Sequence, residues 1–235
     1  MPYIRGDYSL VKVYIDGIEV EVPPSYTILQ AVNKIGVKIP TLCYFGEIYR
    51  EASCRLCLVE LENGKLVPAC AYPIQDNLKV YTNTPRVRMT RRVVLELILA
   101  IHRIRCQSCP RKGGFCELLK LCNEYGVEGI PVCAECPLMG NDCFLTKGIP
   151  CLGPLTVAGC NAQCIIEGNA CMGCRGPVTR RDVVEEAFKL YLKYNIPMSE
   201  VLSRMKMFWS SSPFYDHLTS LFSQFSLKYQ GERHG

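Results

Sequence analysis

Apolar and polar positions alternate near the start of this chain. Val11, Val13 and Ile15 are separated by Lys12 and Tyr14, and Val20 and Val22 are flanked by Glu19 and Glu21, with Asp16-Gly17 between the two runs. Alternation on both sides of an Asp-Gly pair predicts a β-hairpin. After Pro23-Pro24-Ser25-Tyr26-Thr27 the period changes: Ile28, Leu29, Val32 and Ile35 share one helical face, and Gly36 follows as a stop. Short strands over 57–61 and 65–68 pair across Glu62-Asn63-Gly64, and a last strand covers 78–81. The pattern describes a small curved sheet gripping a helix.

Pro85 to Arg105 reads as an amphipathic helix, with Val87, Val94, Leu95, Leu97, Ile98, Leu99 and Ile101 on its apolar side and its arginines outside. Residues 129–178 read as irregular. Thr179-Arg-Arg-Asp and Ser199-Glu then precede helical stretches, with apolar positions at Val183, Val184, Phe188, Leu190 and Tyr191 and at Val201, Leu202, Met205, Met207 and Phe208. Residues 214–229 form a third. These helices read as a cover for the preceding region or, through Trp209, Phe214, Phe222 and Phe225, as a docking element. The longest apolar run, Val93 to Ile101, is interrupted by Glu96 and is too short to span a membrane. The amino terminus lacks a basic start followed by an apolar run, so a cytoplasmic location is expected.

Cysteine content changes the picture. Sixteen thiols fall into four knots plus Cys122. The first knot is Cys43, Cys54, Cys57 and Cys70; the second is Cys106, Cys109 and Cys116, with His102 just ahead. The third is Cys133, Cys136, Cys143 and Cys151, and the fourth is Cys160, Cys164, Cys171 and Cys174. Disulfides do not suit the expected compartment. Zinc is the serious competitor, because thiolate pairs at 54/57, 106/109, 133/136 and 171/174 suit tetrahedral sites. A zinc-stabilised nucleic-acid-binding module is therefore the alternative from another class, but the basic residues are scattered among Glu and Asp and no finger or ribbon spacing recurs. The formal charge of +5 alone suggests an acidic partner. One [2Fe–2S] and three [4Fe–4S] centres would add roughly −7 and remove that argument.

The stretch IPTLCYFGEIYREASCRLCLVELENGKLVPACAYPI resembles the amino-terminal ferredoxin domain of the large iron–sulfur subunit of respiratory complex I and of the diaphorase iron–sulfur subunit of NAD(P)-linked [NiFe] hydrogenases. The resemblance runs over residues ~8–128. It implies a β-grasp fold with a [2Fe–2S] cluster on Cys43, Cys54, Cys57 and Cys70. The stretch HRIRCQSCPRKGGFCELLKLCNEYGVE is similar to the His-Cys-Cys-Cys motif that follows in the same families. It implies a [4Fe–4S] cluster on His102, Cys106, Cys109 and Cys116, although six residues separate Cys109 from Cys116 where five are more familiar.

From Cys133 the chain nearly repeats itself. Cys136 and Cys143 enclose six residues, as do Cys164 and Cys171, and each half ends in Cys-x-Gly-Pro, at Cys151 and Cys174. Duplicated four-thiol units suit two neighbouring [4Fe–4S] clusters, with the exchange of Cys151 and Cys174 between them left open. CFLTKGIPCLGPLTVAGCNAQCIIEGNACMGCRGPV resembles the carboxy-terminal two-cluster part of the small subunit of sulfhydrogenase- and methanogen-type [NiFe] hydrogenases, over residues ~133–210.

The resulting fold class is α+β: a β-grasp [2Fe–2S] domain at 1–84, a small helical His-Cys-Cys-Cys cluster domain at 85–128, an irregular two-cluster domain at 129–178 and a helical tail at 179–235. No dinucleotide loop, phosphate-binding signature or nucleophile–base pair is found, and His217 and His234 are isolated. The expectation is a non-catalytic electron-transfer subunit. Its partners would be a flavin-containing NAD(P)-reactive subunit and distal catalytic subunits, the small and large subunits of a [NiFe] hydrogenase. The same relay would also serve a formate dehydrogenase or another NAD(P)-linked oxidoreductase.

Overall fold

The computed structural model describes residues 10–46, 52–111, 114–138 and 140–231. His234 lies outside them, as do residues 47–51 of the loop between Cys43 and Cys54. The chain is mixed α+β, with one five-stranded sheet among the described residues. It divides into two compact units. The first comprises Met1–Ile101 with Glu124–Val127; the second comprises His102–Asn123 with Glu128–Gly235. The boundary expected at 84/85 thus falls inside the first unit, because the long helix that follows it packs with the sheet.

In the first unit, β1 (Val11–Ile15) and β2 (Ile18–Val22) pair antiparallel around Asp16 and Gly17. Both turn residues have positive φ, at 50° and 86°, which is the turn hand that matches strand twist. The Asp16 carboxylate also accepts hydrogen bonds from Thr82 N and Oγ1, at 2.7 and 2.5 Å. Helix α1 (Ile28–Lys34) opens with a reciprocal cap between Thr27 and Gln30 and buries Ile28, Leu29, Ala31 and Val32. β3 (Leu58–Leu61), β4 (Leu66–Pro68) and β5 (Leu78–Tyr81) complete the order β2-β1-β5-β3-β4, with β1 and β5 parallel. Val13, Ile15, Val22, Ile28, Val32, Val59 and Val80 form the core under this sheet.

Helix α2 (Pro85–Ile101) stops before the expected end at Arg105. Its inward face is Val87, Arg91, Leu95 and Leu99, spaced at successive turns. Leu97 and Ile101, expected inside, are exposed, and Arg91, expected outside, is buried.

The second unit contains α3 (Glu117–Tyr125), whose last two residues belong to the first unit, and the single turn α4 (Gln163–Ile166). It closes with α5 (Arg181–Lys193), α6 (Met198–Trp209) and α7 (Pro213–Gly231). Phe188 on α5 meets Phe222 on α7 edge-on, with ring centroids 5.4 Å apart. Of the aromatics read as docking anchors, Trp209, Phe222 and Phe225 are instead buried in this unit's own core alongside Cys136, Cys143, Cys151 and Cys171. Phe214 alone of the four is exposed. The reason is periodic: α5 and α6 turn apolar stripes onto the cysteine-rich segment, which has too little regular structure to bury itself, and α7 lays its own stripe on α5 and α6.

Candidate metal centres

The first knot is built where the sheet meets its loops. Cys57 immediately precedes β3 and Cys70 follows β4, and Ala69 N donates to the Cys57 carbonyl at 3.0 Å. Both thiols are buried. Cys43 and Cys54 arrive from the loop after α1, where Cys54 N donates to Cys43 Sγ at 3.4 Å. Ala52 and Arg55 adopt left-handed backbone there, at φ 52° and 56°, turning the loop sharply around Cys54. Burial pushes the Cys70 thiol up to about 12, and the neighbouring Cys57 pushes it the same way, followed by Cys43 and Cys54. At Cys43 the same burial effect is outweighed by hydrogen bonds from Cys54 and Ser53, so its pKa falls. Burial thus opposes a thiolate at Cys70 unless a positive charge lies beside it, and the iron of a thiolate-bound cluster would supply that charge, so this donor set suits one.

In the second knot, Cys106 opens a turn over Cys106–Ser108, Cys109 Sγ accepts from Arg111 N at 3.4 Å, and Cys116 directly precedes α3. His102 lies just past α2 with an exposed side chain, and its carbonyl accepts from Arg180 Nη2 at 3.4 Å. Among the described residues, no three His, Cys, Asp or Glu side chains close on a point as ligands of a single ion would. This holds for all four knots alike and does not set His102, Cys106, Cys109 and Cys116 apart from the other three sets. Cys122 is buried on α3, its thiol pushed up to about 11 by burial and then by Cys116.

The third knot is enclosed: Cys133, Cys136, Cys143 and Cys151 are all buried. A Cβ placed on Gly153 would lie 3.4 Å from Cys151 Sγ and 3.5 Å from Cys133 Sγ, with Cys171 Cβ at 3.8 Å. Any larger residue would fill the space beside the sulfurs, so glycine keeps a cradle open there. Burial pushes the Cys151 thiol up to about 12. Tyr191 donates to the Cys151 carbonyl at 3.0 Å, and burial holds its hydroxyl protonated. Gln107 Nε2, from between Cys106 and Cys109, lies 3.0 Å from Cys143 Sγ.

The fourth knot is more open. Cys164 and Cys174 are exposed, Cys160 is half-buried and only Cys171 is buried. The two repeat ends lie side by side, with Leu152 N bonded to Cys171 O at 2.9 Å and Val157 N to Gly176 O at 3.1 Å. Cys171 thus sits between the third and fourth sets. Glu135 accepts from Gly159 N at 2.7 Å and from Cys160 N at 3.1 Å, joining the two. Spacing gave no sign of Gln107, Glu135 or Tyr191 at these sites, none of which belongs to a recurring motif.

Two iron–sulfur family models match the chain. Residues 9–85 match a 2Fe-2S iron-sulfur cluster binding domain, and residues 91–131 match the NADH-ubiquinone oxidoreductase-G iron-sulfur binding region. The chain therefore carries a 2Fe-2S domain followed by a 4Fe-4S binding region. It is 44% identical over 118 residues to the NADH-ubiquinone oxidoreductase 75 kDa subunit of Reclinomonas americana, covering 50% of this chain and 17% of that protein. It is 43% identical over 129 residues to the NADP-reducing hydrogenase subunit HndD of Solidesulfovibrio fructosivorans, covering 52% of this chain and 22% of that protein. A crystal structure of an NAD+-reducing [NiFe]-hydrogenase in the H2-reduced state aligns with a TM-score of 0.46 and 33% identity over 49% of each chain. The chain spans about a fifth of the length of the curated relatives named here. The third and fourth knots, from Cys133 onward, lie beyond both family models.

Proposed function

We propose that this chain is a cytoplasmic electron-transfer subunit that relays electrons between a flavin-containing NAD(P)-reactive subunit and a distal redox enzyme, a [NiFe] hydrogenase. The observation that carries the reading is continuity. The second knot touches the third through Gln107 and Cys143, and the third is joined to the fourth through Glu135 and Cys171. A relay needs such adjacent centres, whereas independent structural metal sites do not.

In this reading Cys43, Cys54, Cys57 and Cys70 hold a [2Fe–2S] cluster in a β-grasp domain. His102, Cys106, Cys109 and Cys116 hold the first [4Fe–4S] cluster. Cys133, Cys136, Cys143 and Cys151 hold the next, and Cys160, Cys164, Cys171 and Cys174 the last. When bound, the clusters supply one-electron carriers. The protein's part is to position and shield them. Gly153 keeps backbone close to the sulfurs, Tyr191 covers the third set, Trp209 packs on Gly173 between Cys171 and Cys174 of the fourth, and the Gln107 amide stabilises negative charge on Cys143. The relatives bearing NADH- and NADP-linked names support the nicotinamide end of the relay, and the small-subunit resemblance of residues ~133–210 supports the hydrogenase end. No helix among the described residues is long and apolar enough to cross a membrane.

Anaerobic purification followed by iron, zinc and acid-labile sulfide analysis tests this. About fourteen each of iron and sulfide per chain is expected if all four sets fill. Stoichiometric zinc with little iron, from cells given ample iron, would overturn it.

A further inference from the structure

Arg91 is a charged residue in the wrong place for its sequence. It projects from the inward face of α2 and is 3% exposed. Its Nη2 donates to the Leu58 carbonyl at 2.7 Å and its Nη1 to the Tyr125 hydroxyl at 3.1 Å, while its buried Nε has no partner. Both acceptors are neutral. Among the described residues no carboxylate pairs with it: Glu60, the acid on β3, is engaged by Thr84 Oγ1 at 2.5 Å and by Arg86 at 3.4 Å. The Tyr125 ring offers no negative group either, and its face is taken by the Arg88 guanidinium, 5.6 Å from the centroid.

A buried cation with no counter-charge is strongly unfavourable, and guanidinium does not shed its proton to escape the cost. An anion must therefore lie nearby in the working protein. The peptide that Arg91 grips identifies it, because Leu58 directly follows Cys57, itself fully buried in the first thiol set. A cluster bound by four thiolates carries net negative charge. We infer that Arg91 is the fixed counter-charge of the centre held by Cys43, Cys54, Cys57 and Cys70 and raises its reduction potential. The inference rests on the [2Fe–2S] reading of that set. Reduction adds one electron to the centre, and Arg91 carries its positive charge before and after. It therefore stabilises the reduced form more than the oxidised one, with no proton taken up.

The test compares Arg91→Lys, which keeps the charge, with Arg91→Gln, which keeps a donor for Leu58 but loses the charge. Each is made in the full chain, purified anaerobically and followed by electron paramagnetic resonance during redox titration. The [2Fe–2S] midpoint should fall in Arg91→Gln and stay near the wild-type value in Arg91→Lys, with the [4Fe–4S] signals unmoved in both. An unchanged midpoint in Arg91→Gln, or an equal fall in the two variants, overturns the inference and leaves Arg91 a hydrogen-bonding staple. If the Gln variant assembles no [2Fe–2S] centre while the Lys variant does, the charge requirement stands. If neither assembles one, guanidinium geometry rather than charge is what matters, and the inference fails. Absence of any [2Fe–2S] signal in the wild-type chain would instead sink the cluster reading beneath it.

Discussion

The third and fourth thiol sets come from near-repeats of one sequence unit and end in opposite surroundings. Cys133, Cys136, Cys143 and Cys151 are all buried, whereas Cys164 and Cys174 are exposed and Cys160 is half-buried. The repeat supplies the spacing of thiols, but coverage comes from elsewhere. Tyr191 of α5 reaches the closed set, donating to the Cys151 carbonyl at 3.0 Å, whereas Trp209 of α6 donates at 2.6 Å to the Gly173 carbonyl, between Cys171 and Cys174. The closed set thus owes part of its burial to a helix that contains no cysteine. In the proposed relay the closed set is an internal station and the open set faces the next carrier.

The comparison breaks most sharply by removing one thiol from each set. Cys151→Ser should cost the third set its iron and destabilise the whole second unit, because the site lies inside that unit's core. Cys174→Ser should remove iron from the fourth set while thermal unfolding of the helical tail shifts little. Iron analysis with circular dichroism melting checks both. Equal loss of helix stability in the two variants would mean that the open set is as central to the fold as the closed one.

A smaller effect is expected from lifting the cover. Gly173 has φ +92°, and a Cβ there would lie 2.8 Å from the Trp209 ring. Gly173→Ala combines left-handed strain with overpacking and should cost roughly 2–4 kcal/mol. Trp209→Phe, which loses only the bond to the Gly173 carbonyl and some packing, should cost about 1–2 kcal/mol. Denaturant unfolding of the two variants, read by circular dichroism, should rank them in that order; the reverse order would show that Trp209 is not pressed onto this glycine.

The smallest effect concerns the clamp that holds α7 on α5. Lys228 Nζ and Tyr229 Oη lie 2.7 and 2.5 Å from Glu185 Oε1. The Lys228 hydrogen bond first, then that of Tyr229, holds the Glu185 carboxyl below its usual pKa, so it is ionised throughout the neutral range. Glu185→Gln should lower the melting temperature slightly at low ionic strength, with the difference shrinking as salt is added. A difference indifferent to salt would assign the effect to packing of the Tyr229 ring against Phe188.

Much of this molecule is legible because some residue types carry their own geometry. Asp16-Gly17 makes the hairpin turn, Thr27 and Gln30 form the cap that starts α1, and the thiol spacings alone mark out the four sets. Long-range choices are less legible. The inward positions of α2 recur every fourth residue at Val87, Arg91, Leu95 and Leu99, so phase alone pointed inward at Arg91 while its charge argued outward. The docking reading of Trp209, Phe222 and Phe225 failed for a related reason: aromatic density reports a need for burial without saying whose core supplies it. His102 shows the limit from the other side. Its place in a four-ligand spacing is plain in the sequence, whereas its side chain is exposed.

The Glu135 side chain bears on timing as well as architecture. It leaves the backbone between Cys133 and Cys136 and takes both N–H groups that begin the fourth set, 24 and 25 residues later. Electron tunnelling weakens steeply with distance, so a relay whose stations drift apart loses rate before it loses structure. In the proposed relay, a carboxylate anchored in one set and clasping the threshold of the next would fix the length of that hop. In that reading this part of the second unit acts as a spacer of set gauge.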